Sequence, residues 1–131
     1  MGCDIHGWTE VKINGKWVAV CPFTDDGDER NYKRFCMLAG VRCYSDDVVC
    51  GEAKGVPSDV SETVRYHIDQ WDSDGHSHSH MTLLEALRIF KETATSCWRN
   101  NGFIPEDAYD FFGVEENEDF ENMRIVFWFD N

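Results

Sequence analysis

Histidine and aspartate are concentrated in residues 72–80, which read Asp-Ser-Asp-Gly-His-Ser-His-Ser-His. Three of the chain's five histidines lie there, and a fourth, His6, follows Asp4 by two residues near the N-terminus. Imidazole and carboxylate groups bind divalent transition metals and transfer protons near neutral pH. If the two clusters meet in space, they form a metal or acid–base site. If they do not, residues 72–80 are a polar loop.

Side-chain alternation predicts which of these groups point the same way. Asp4 and His6 lie two residues apart in a predicted strand and therefore leave the same face, roughly 6.5 Å apart along it. For the same reason, His76, His78 and His80 leave an extended segment on one side. The predicted metal ligands are Asp4, His6, His76, His78 and Asp130, with Asp72 or Asp74 as a further carboxylate.

Two chemistries are open to this set of residues. Mixed nitrogen and oxygen ligands suit Zn²⁺, Mn²⁺, Ni²⁺ or Fe²⁺, and a metal-bound water can supply the nucleophile for hydrolysis. Without a metal, a histidine paired with an aspartate acts as a general acid–base, and the predicted catalytic residues are His76, His78 and Asp74. Because His-x-His is common in surface loops and no complete motif such as His-Glu-x-x-His is present, a polar loop and a purely structural metal stay open.

The two ends of the chain predict the strands that position these side chains. Residues 3–13 alternate between faces, Asn14-Gly15 is a strong hairpin-turn signal, and Lys16–Cys21 forms the return strand, which ends at Pro22. Residues 123–131 are apolar on both faces and predict a strand buried on both sides, beside the hairpin. Asp130 then joins Asp4 and His6 if the strands pair.

Apolar residues at helical spacing predict helices in the middle of the chain. One helix is predicted over Glu29–Ala39, with Gly40 as its stop signal, and residues 41–57 read as loop. A second helix begins near Ser58–Ser61 and ends at Trp71, before the loop at 72–80. A capping box, Thr82 with Glu85, opens a third helix, whose apolar stripe is Leu83, Leu87, Phe90, Ala94 and Trp98. Pro105–Phe112 predicts a further short helix.

These elements predict an α+β fold in one domain over residues 1–131. Its sheet is small and largely antiparallel, formed by the N-terminal hairpin and the C-terminal strand, and it packs with about three helices. A hydrophobic content of 42% and an aromatic content of 14% supply enough apolar area for a core.

Net charge limits the class of partner. Asp and Glu outnumber Lys and Arg by 25 to 12, giving a formal charge of −13. Such a chain repels nucleic acids and anionic membranes, so direct nucleic-acid binding is not expected. No export signal or membrane span is readable, and a cytoplasmic location with reduced thiols is predicted. Cys36, Cys43 and Cys50 recur every seven residues, which matches no standard zinc spacing.

Four segments resemble a group of short proteins from bacteriophages and prophages that has no established activity. They are Met1-Gly2-Cys3-Asp4-Ile5-His6, Leu38-Ala39-Gly40-Val41-Arg42, Asp74-Gly75-His76-Ser77-His78-Ser79 and Val126-Phe127-Trp128-Phe129-Asp130-Asn131. The resemblance implies a phage accessory protein in the bacterial host cytosol, acting against host defence. His80 and the acidic segment 106–121 lie outside it.

Three functions follow as hypotheses. The first is a small metal-dependent hydrolase of a phosphate ester or nucleotide, with Arg42 as the phosphate contact because guanidinium matches phosphate geometry. The second is a non-catalytic sponge for a nucleotide-like ligand, in which aromatic residues such as Trp128 stack a base. The third is an acidic decoy that uses residues 106–121 to occupy the nucleic-acid site of a basic host protein.

Overall fold

The computed structural model describes residues 2–24, 31–44, 49–93, 109, 111–115 and 118–130. In chain order, the strands and helices are β1 (Asp4–Ile13), β2 (Lys16–Thr24), α1 (Tyr32–Ala39), α2 (Glu62–Trp71), β3 (Gly75–Thr82), α3 (Leu83–Glu92) and β4 (Met123–Asp130). The strands form one antiparallel sheet in the order β2-β1-β4-β3. The predicted α+β class is confirmed, with four strands instead of about three.

The N-terminal hairpin forms as predicted. Asn14 and Gly15 both have positive φ, 52° and 80°, as a two-residue hairpin turn requires. β2 continues past Pro22 to Thr24, two residues beyond the predicted end. Proline is tolerated there because β2 is an edge strand, where one side of the backbone has no neighbour. The longer strand brings Thr24 opposite His6.

The C-terminal strand lies inside the sheet beside the hairpin, as predicted. All residues of β4 from Met123 to Phe129 are buried. Ile125, Phe127 and Phe129 join the main core, which includes apolar residues of α1 and α3. Val126 and Trp128 pack instead with Val64 and Ile68 of α2. The sheet therefore carries α1 and α3 on one face and α2 on the other.

The histidine segment is a strand, so the prediction of a loop over residues 72–80 is wrong for its larger part. Asp72–Asp74 form a short 3₁₀ turn, and β3 follows directly as the second edge strand, paired with β4. Ser79 and Met81 are buried, which fastens this polar strand to the sheet. Because so few of its residues are apolar, the alternation that marks a strand is weak in the sequence.

Capping residues mark the end of α1 and the start of α3 where the sequence predicts, but α3 ends at Glu92, with Thr93 as its C-cap, and is shorter than the predicted helix. Gly40 follows α1 with a φ of 70°, and the hydroxyl of Thr82 accepts a hydrogen bond from the Glu85 amide at the start of α3. Asn31 is the N-cap of α1, so this helix begins at Tyr32 and is shorter than the predicted Glu29–Ala39 helix, whose residues 29 and 30 lie outside the described residues. So do Ala94, Trp98 and most of Pro105–Phe112. No helix in the described part of the chain is long and apolar enough to cross a membrane.

A buried carboxylate attaches the N-terminal end of α2 to the sheet. Glu10 is 0% exposed and accepts from Nε of Arg124 at 2.7 Å and from the amide of Ser61 at 2.9 Å. Ser61 also caps α2, and Arg124 donates to the Asp59 carboxylate at 2.9 Å. This anchor fixes where the other end of α2 meets the sheet, and that end carries Trp71.

Candidate functional site

The structure brings His6 and Asp130 together at one end of the sheet. β1 and β4 pair so that Asp4 lies opposite Asp130 and His6 lies opposite Trp128. Nε2 of His6 lies 2.9 Å from Oδ2 of Asp130, and the Asp4 amide donates to Oδ1 at 3.3 Å. The His6 and Asp130 side chains are 19% and 22% exposed, so solvent screens the pair only partly. Asp130 thus joins His6 as the shared sheet predicts.

The second ring nitrogen of His6 meets a hydroxyl. Nδ1 lies 3.1 Å from Oγ1 of Thr24, and this hydroxyl also donates to the carbonyl of Ile5 at 2.9 Å. A hydroxyl can both donate and accept, whereas an ionised carboxylate only accepts. Because the single hydroxyl proton of Thr24 goes to Ile5, Thr24 accepts from a protonated Nδ1, while Nε2 donates to Asp130. Donation to an unprotonated Nδ1 would require that hydroxyl proton to leave the Ile5 carbonyl.

His6 forms part of the wall of a cavity of about 540 Å³ between the sheet and α2. Seven of its ten described lining residues carry an aromatic ring: His6, Trp8, Phe23, His67, Trp71, Phe111 and Trp128. The rings of His6 and Trp71 are stacked with centroids 4.2 Å apart. None of these described lining residues is Lys, Arg, Asp or Glu. The cavity therefore offers flat apolar surfaces, with His6 as a proton-transferring group.

Trp128 separates His6 from the histidine strand. The His6 ring lies 6.4 Å from Trp128 and the His78 ring 6.2 Å from it, centroid to centroid, on neighbouring strands of the sheet. The predicted meeting of the two histidine clusters is thus limited to a shared contact with this indole. In the described part of the chain, the one set of three potential ligand atoms within 4.8 Å of one another belongs to cysteines. The predicted His/Asp metal set does not form such a group there.

A bulge divides the three histidines of β3. Gly75 and His76 pair with Asp130 and Phe129, and pairing resumes only at Ser79 with Phe127. Ser77, within the bulge, has a φ of 53°. His76 stacks on Phe129, a residue of the main core, whereas His78 stacks on Trp128 of the α2 side. The prediction that His76, His78 and His80 leave one side of the strand is therefore wrong for His76.

Burial changes the proton affinity of two of these histidines. It lowers the pKa of His78, and the positive charges of His76 and Arg65 lower it further. Burial also lowers the pKa of His80, with Arg124 and Lys54 acting in the same direction. Both rings therefore favour the neutral form, which can act as a hydrogen-bonding group.

A buried donor and a buried ring nitrogen lie close to Gly75. Nε1 of Trp128 and Nε2 of His78 have no hydrogen-bond partner among the described residues. A Cβ atom built on Gly75 would lie 3.3 Å from Cδ1 of Trp128 and 3.5 Å from Nε2 of His78. Glycine at this position leaves space between the two rings, next to the indole that lines the cavity.

The remaining predicted site residues lie away from the cavity lining. Asp72 and Asp74 belong to the exposed 3₁₀ turn before β3. Nη1 of Arg42 donates to the Tyr44 hydroxyl at 3.1 Å, and its guanidinium lies 5.5 Å from the centre of the Tyr32 ring. Burial raises the pKa of the neighbouring Cys3 thiol, and Arg42 opposes that shift. Arg42 is not among the described lining residues of the cavity that His6 lines.

The oxidation state of the cysteines differs from the prediction that all six are reduced thiols. Cys36 and Cys43 form a disulfide, and Cys3, Cys21 and Cys50 are free. Sγ of Cys50 lies 3.4 Å from Sγ of Cys43. In the reduced state, the group Cys36, Cys43 and Cys50 could hold a metal ion.

Comparison of the chain with family models, curated proteins and solved structures gives no match. Sequence reasoning missed Thr24 and Trp71 as site residues. A signal existed for Trp71, because it ends the apolar stripe of α2 that faces the sheet. The signal for Thr24 was hidden by Pro22, which reads as the end of the strand.

Proposed function

We propose that this protein binds a planar, uncharged or cationic small molecule in the aromatic cavity and acts on it through His6 as general acid–base. The observation that carries the proposal is the position of His6, held between Asp130 and Thr24 in the cavity wall. Asp130 orients the ring and balances its positive charge, as a carboxylate does in other histidine-based sites.

The lining residues support a flat ligand. Trp8, Trp71 and Trp128 present large ring surfaces, and aromatic stacking stabilises a bound ring by about 0.5–1.5 kcal/mol per pair beyond the burial of area. A nucleobase or a similar heterocycle has the required shape. A cationic ring gains further from the π faces.

Charge disfavours a phosphate group inside the cavity. The described lining contains no Lys or Arg, and the chain carries a formal charge of −13. Hydrolysis of a phosphate ester, which the sequence favours, has less support than acid–base chemistry on the heterocycle or on the atoms attached to it. For a nucleotide, the base would enter the cavity and the phosphate would extend away from it.

A divalent metal such as Zn²⁺ or Mn²⁺ at the His6–Asp130 end of the sheet is a second candidate. Nε2 of His6 and a carboxylate oxygen of Asp130 are suitable ligands, and backbone pairing places Asp4 directly opposite Asp130. Retention of a metal that is lost in both His6→Gln and Asp130→Asn would support this candidate over metal-free acid–base chemistry.

Binding without catalysis is the third candidate, favoured by the seven aromatic rings of the lining. Two further hypotheses, a host-protein partner and the acidic decoy, depend on the net charge and on residues 106–121, of which six lie outside the described residues. Neither of them requires the cavity.

Tryptophan fluorescence titrations with adenosine, AMP and 1-methyladenosine test the proposed ligand class. We expect saturable quenching by adenosine and by cationic 1-methyladenosine, with AMP at least about tenfold weaker, a difference of about 1.4 kcal/mol. Trp71→Leu should weaken the quenching by adenosine. Tighter binding of AMP than of adenosine, or no saturable quenching by any of the three, would contradict the proposal.

Mass spectrometry of the recovered ligand distinguishes catalysis from binding without catalysis. A sponge returns the ligand intact, whereas an acid–base enzyme returns a product. His6→Gln should abolish conversion, while His67→Gln serves as the matched control because His67 lines the same cavity. Equal conversion by wild type and His6→Gln would exclude His6 as the acid–base group.

A further inference from the structure

Three cysteine sulfur atoms meet at the C-terminal end of α1. Each ligand atom of Cys36, Cys43 and Cys50 lies within 4.8 Å of the other two. Cys36 is 2% exposed, whereas Cys43 and Cys50 are exposed. The cluster therefore has a buried sulfur at its base and two sulfurs that a metal ion or reductant can reach from solvent.

Two glycines make this meeting possible. Gly40, with a φ of 70°, reverses the chain after α1 and leads it back to Cys43, whose Cα lies 4.9 Å from that of Cys36. Gly51 packs its backbone on the end of the helix, where a Cβ atom would lie 2.1 Å from the Met37 carbonyl oxygen. The Gly51 amide donates to the Cys36 carbonyl at 2.8 Å, which holds the adjacent Cys50 over the cluster.

Sulfur geometry in the cluster is compatible with a metal centre. Thiolates are the preferred ligands of Zn²⁺ and other thiophilic cations, with a Zn–S distance of about 2.3 Å. Three sulfurs around one such ion lie about 3.8 Å apart in tetrahedral geometry. All three sulfurs already lie within 4.8 Å of one another, and opening the disulfide frees Cys36 and Cys43 to separate to this spacing, with the exposed side leaving the fourth position to solvent.

We propose that Cys36, Cys43 and Cys50 form a redox-dependent binding site for one thiophilic cation of the Zn²⁺ type. The oxidised chain carries the Cys36–Cys43 disulfide and does not bind the cation, because two of its three ligands are joined to each other. The reduced chain binds one ion through three thiolates. The site is independent of the aromatic cavity, because its residues lie outside the cavity lining.

A dithiol can convert the oxidised chain to the reduced chain in a reaction that balances in electrons and protons. The dithiol gives two electrons and two protons to the Cys36–Cys43 bond and closes to its own disulfide. The cation then replaces the thiol protons of all three cysteines, and these protons pass to solvent. Reoxidation by a small disulfide releases the ion and restores the Cys36–Cys43 bond.

Titration of the full chain with Cd²⁺ under anaerobic conditions tests the proposal. We expect the reduced chain to bind one Cd²⁺ with an ultraviolet thiolate-to-metal absorption band. The disulfide form should show no such band. Cys43→Ser and Cys50→Ser should each weaken binding at least about tenfold. Both positions are exposed, so these variants are expected to fold.

Two controls make the result specific. Cys21→Ser removes a free cysteine outside the cluster, and His6→Gln removes the histidine of the aromatic cavity. Both should bind Cd²⁺ like wild type, and His6→Gln separates failure of this site from failure of the proposed function. Absence of the band in the reduced chain, wild-type Cd²⁺ affinity in Cys43→Ser or Cys50→Ser, or loss of the band in either control would overturn the proposal.

Discussion

Asp130 accepts a hydrogen bond from Nε2 of His6 at 2.9 Å, although 124 residues separate the two in sequence. The contact exists because β4 lies beside β1 in the sheet, with Asp4 opposite Asp130. It connects the fold to the proposed chemistry, since the same pairing that builds the core also orients the acid–base group.

Replacement of Asp130 measures how much its hydrogen bond with His6 contributes to the free energy of unfolding. We expect Asp130→Asn to lower the free energy of unfolding by about 1 kcal/mol, because an amide is a weaker partner for the imidazole than a carboxylate is. Urea denaturation provides the measurement, with Asp69→Asn on the exposed side of α2 as the control. Equal losses in the two variants would show that the pair makes no specific contribution.

The Glu10–Arg124 pair should dominate the electrostatic contribution to stability. Arg124→Met leaves the Glu10 carboxylate buried and without its guanidinium, and the expected loss is about 3–5 kcal/mol. Glu10→Gln combined with Arg124→Met should recover part of that loss, because the buried charge is then removed. A double variant less stable than Arg124→Met alone would contradict this account.

Acid should destabilise the protein through His78. Burial keeps its folded-state pKa below the ordinary value of 6.5, so the unfolded chain takes up the proton first as the pH falls. The free energy of unfolding should therefore be complete above about pH 6.5, decrease below it, and level off below the folded-state pKa. His78→Gln should reduce this pH dependence in urea titrations. The half-buried His80 contributes in the same direction, and His80→Gln measures its share.

Close packing at Gly7 should make this position intolerant of a side chain. A Cβ atom there would lie 2.4 Å from Cζ of Phe23 and 2.7 Å from the carbonyl oxygen of Val126. We expect Gly7→Ala to lower the free energy of unfolding by about 1–3 kcal/mol, because the neighbours must shift. Phe23→Leu in the Gly7→Ala background removes one clash and should recover part of the loss. An unchanged free energy of unfolding in Gly7→Ala would contradict this expectation, because it would mean that Phe23 and Val126 can move without cost.

The sheet was largely predictable because its central strands carry strong local signals. Alternation and Asn14-Gly15 define the hairpin, and the apolar run of residues 123–130 can only be buried on both sides. β3 was not predictable from alternation, since serine and histidine occupy most of its positions. It is held by pairing with β4 and by the burial of Ser79 and Met81, which are tertiary effects.

The candidate site was predictable in part. The pattern predicts that the terminal strand lies beside the hairpin, but the register that places Asp4 opposite Asp130 and brings His6 to Asp130 comes only from the structure. The separation of His76 from His78 depends on a β-bulge at Ser77, which has a positive φ. Serine does not require a positive φ, so the residue type does not predict this bulge. The disulfide depends on the reversal at Gly40, which brings residues seven apart in sequence into contact.

The position of β4 between β1 and β3 has a consequence for synthesis. The hairpin can form early, because its partners are adjacent in sequence, but its inner strand keeps an open edge until residues 123–130 have left the ribosome. During that interval, apolar side chains meant for the core are exposed to other nascent chains. Completion of this sheet is therefore delayed until β4 has been synthesised, and chaperone dependence should be greatest for ribosome-bound chains that stop before β4.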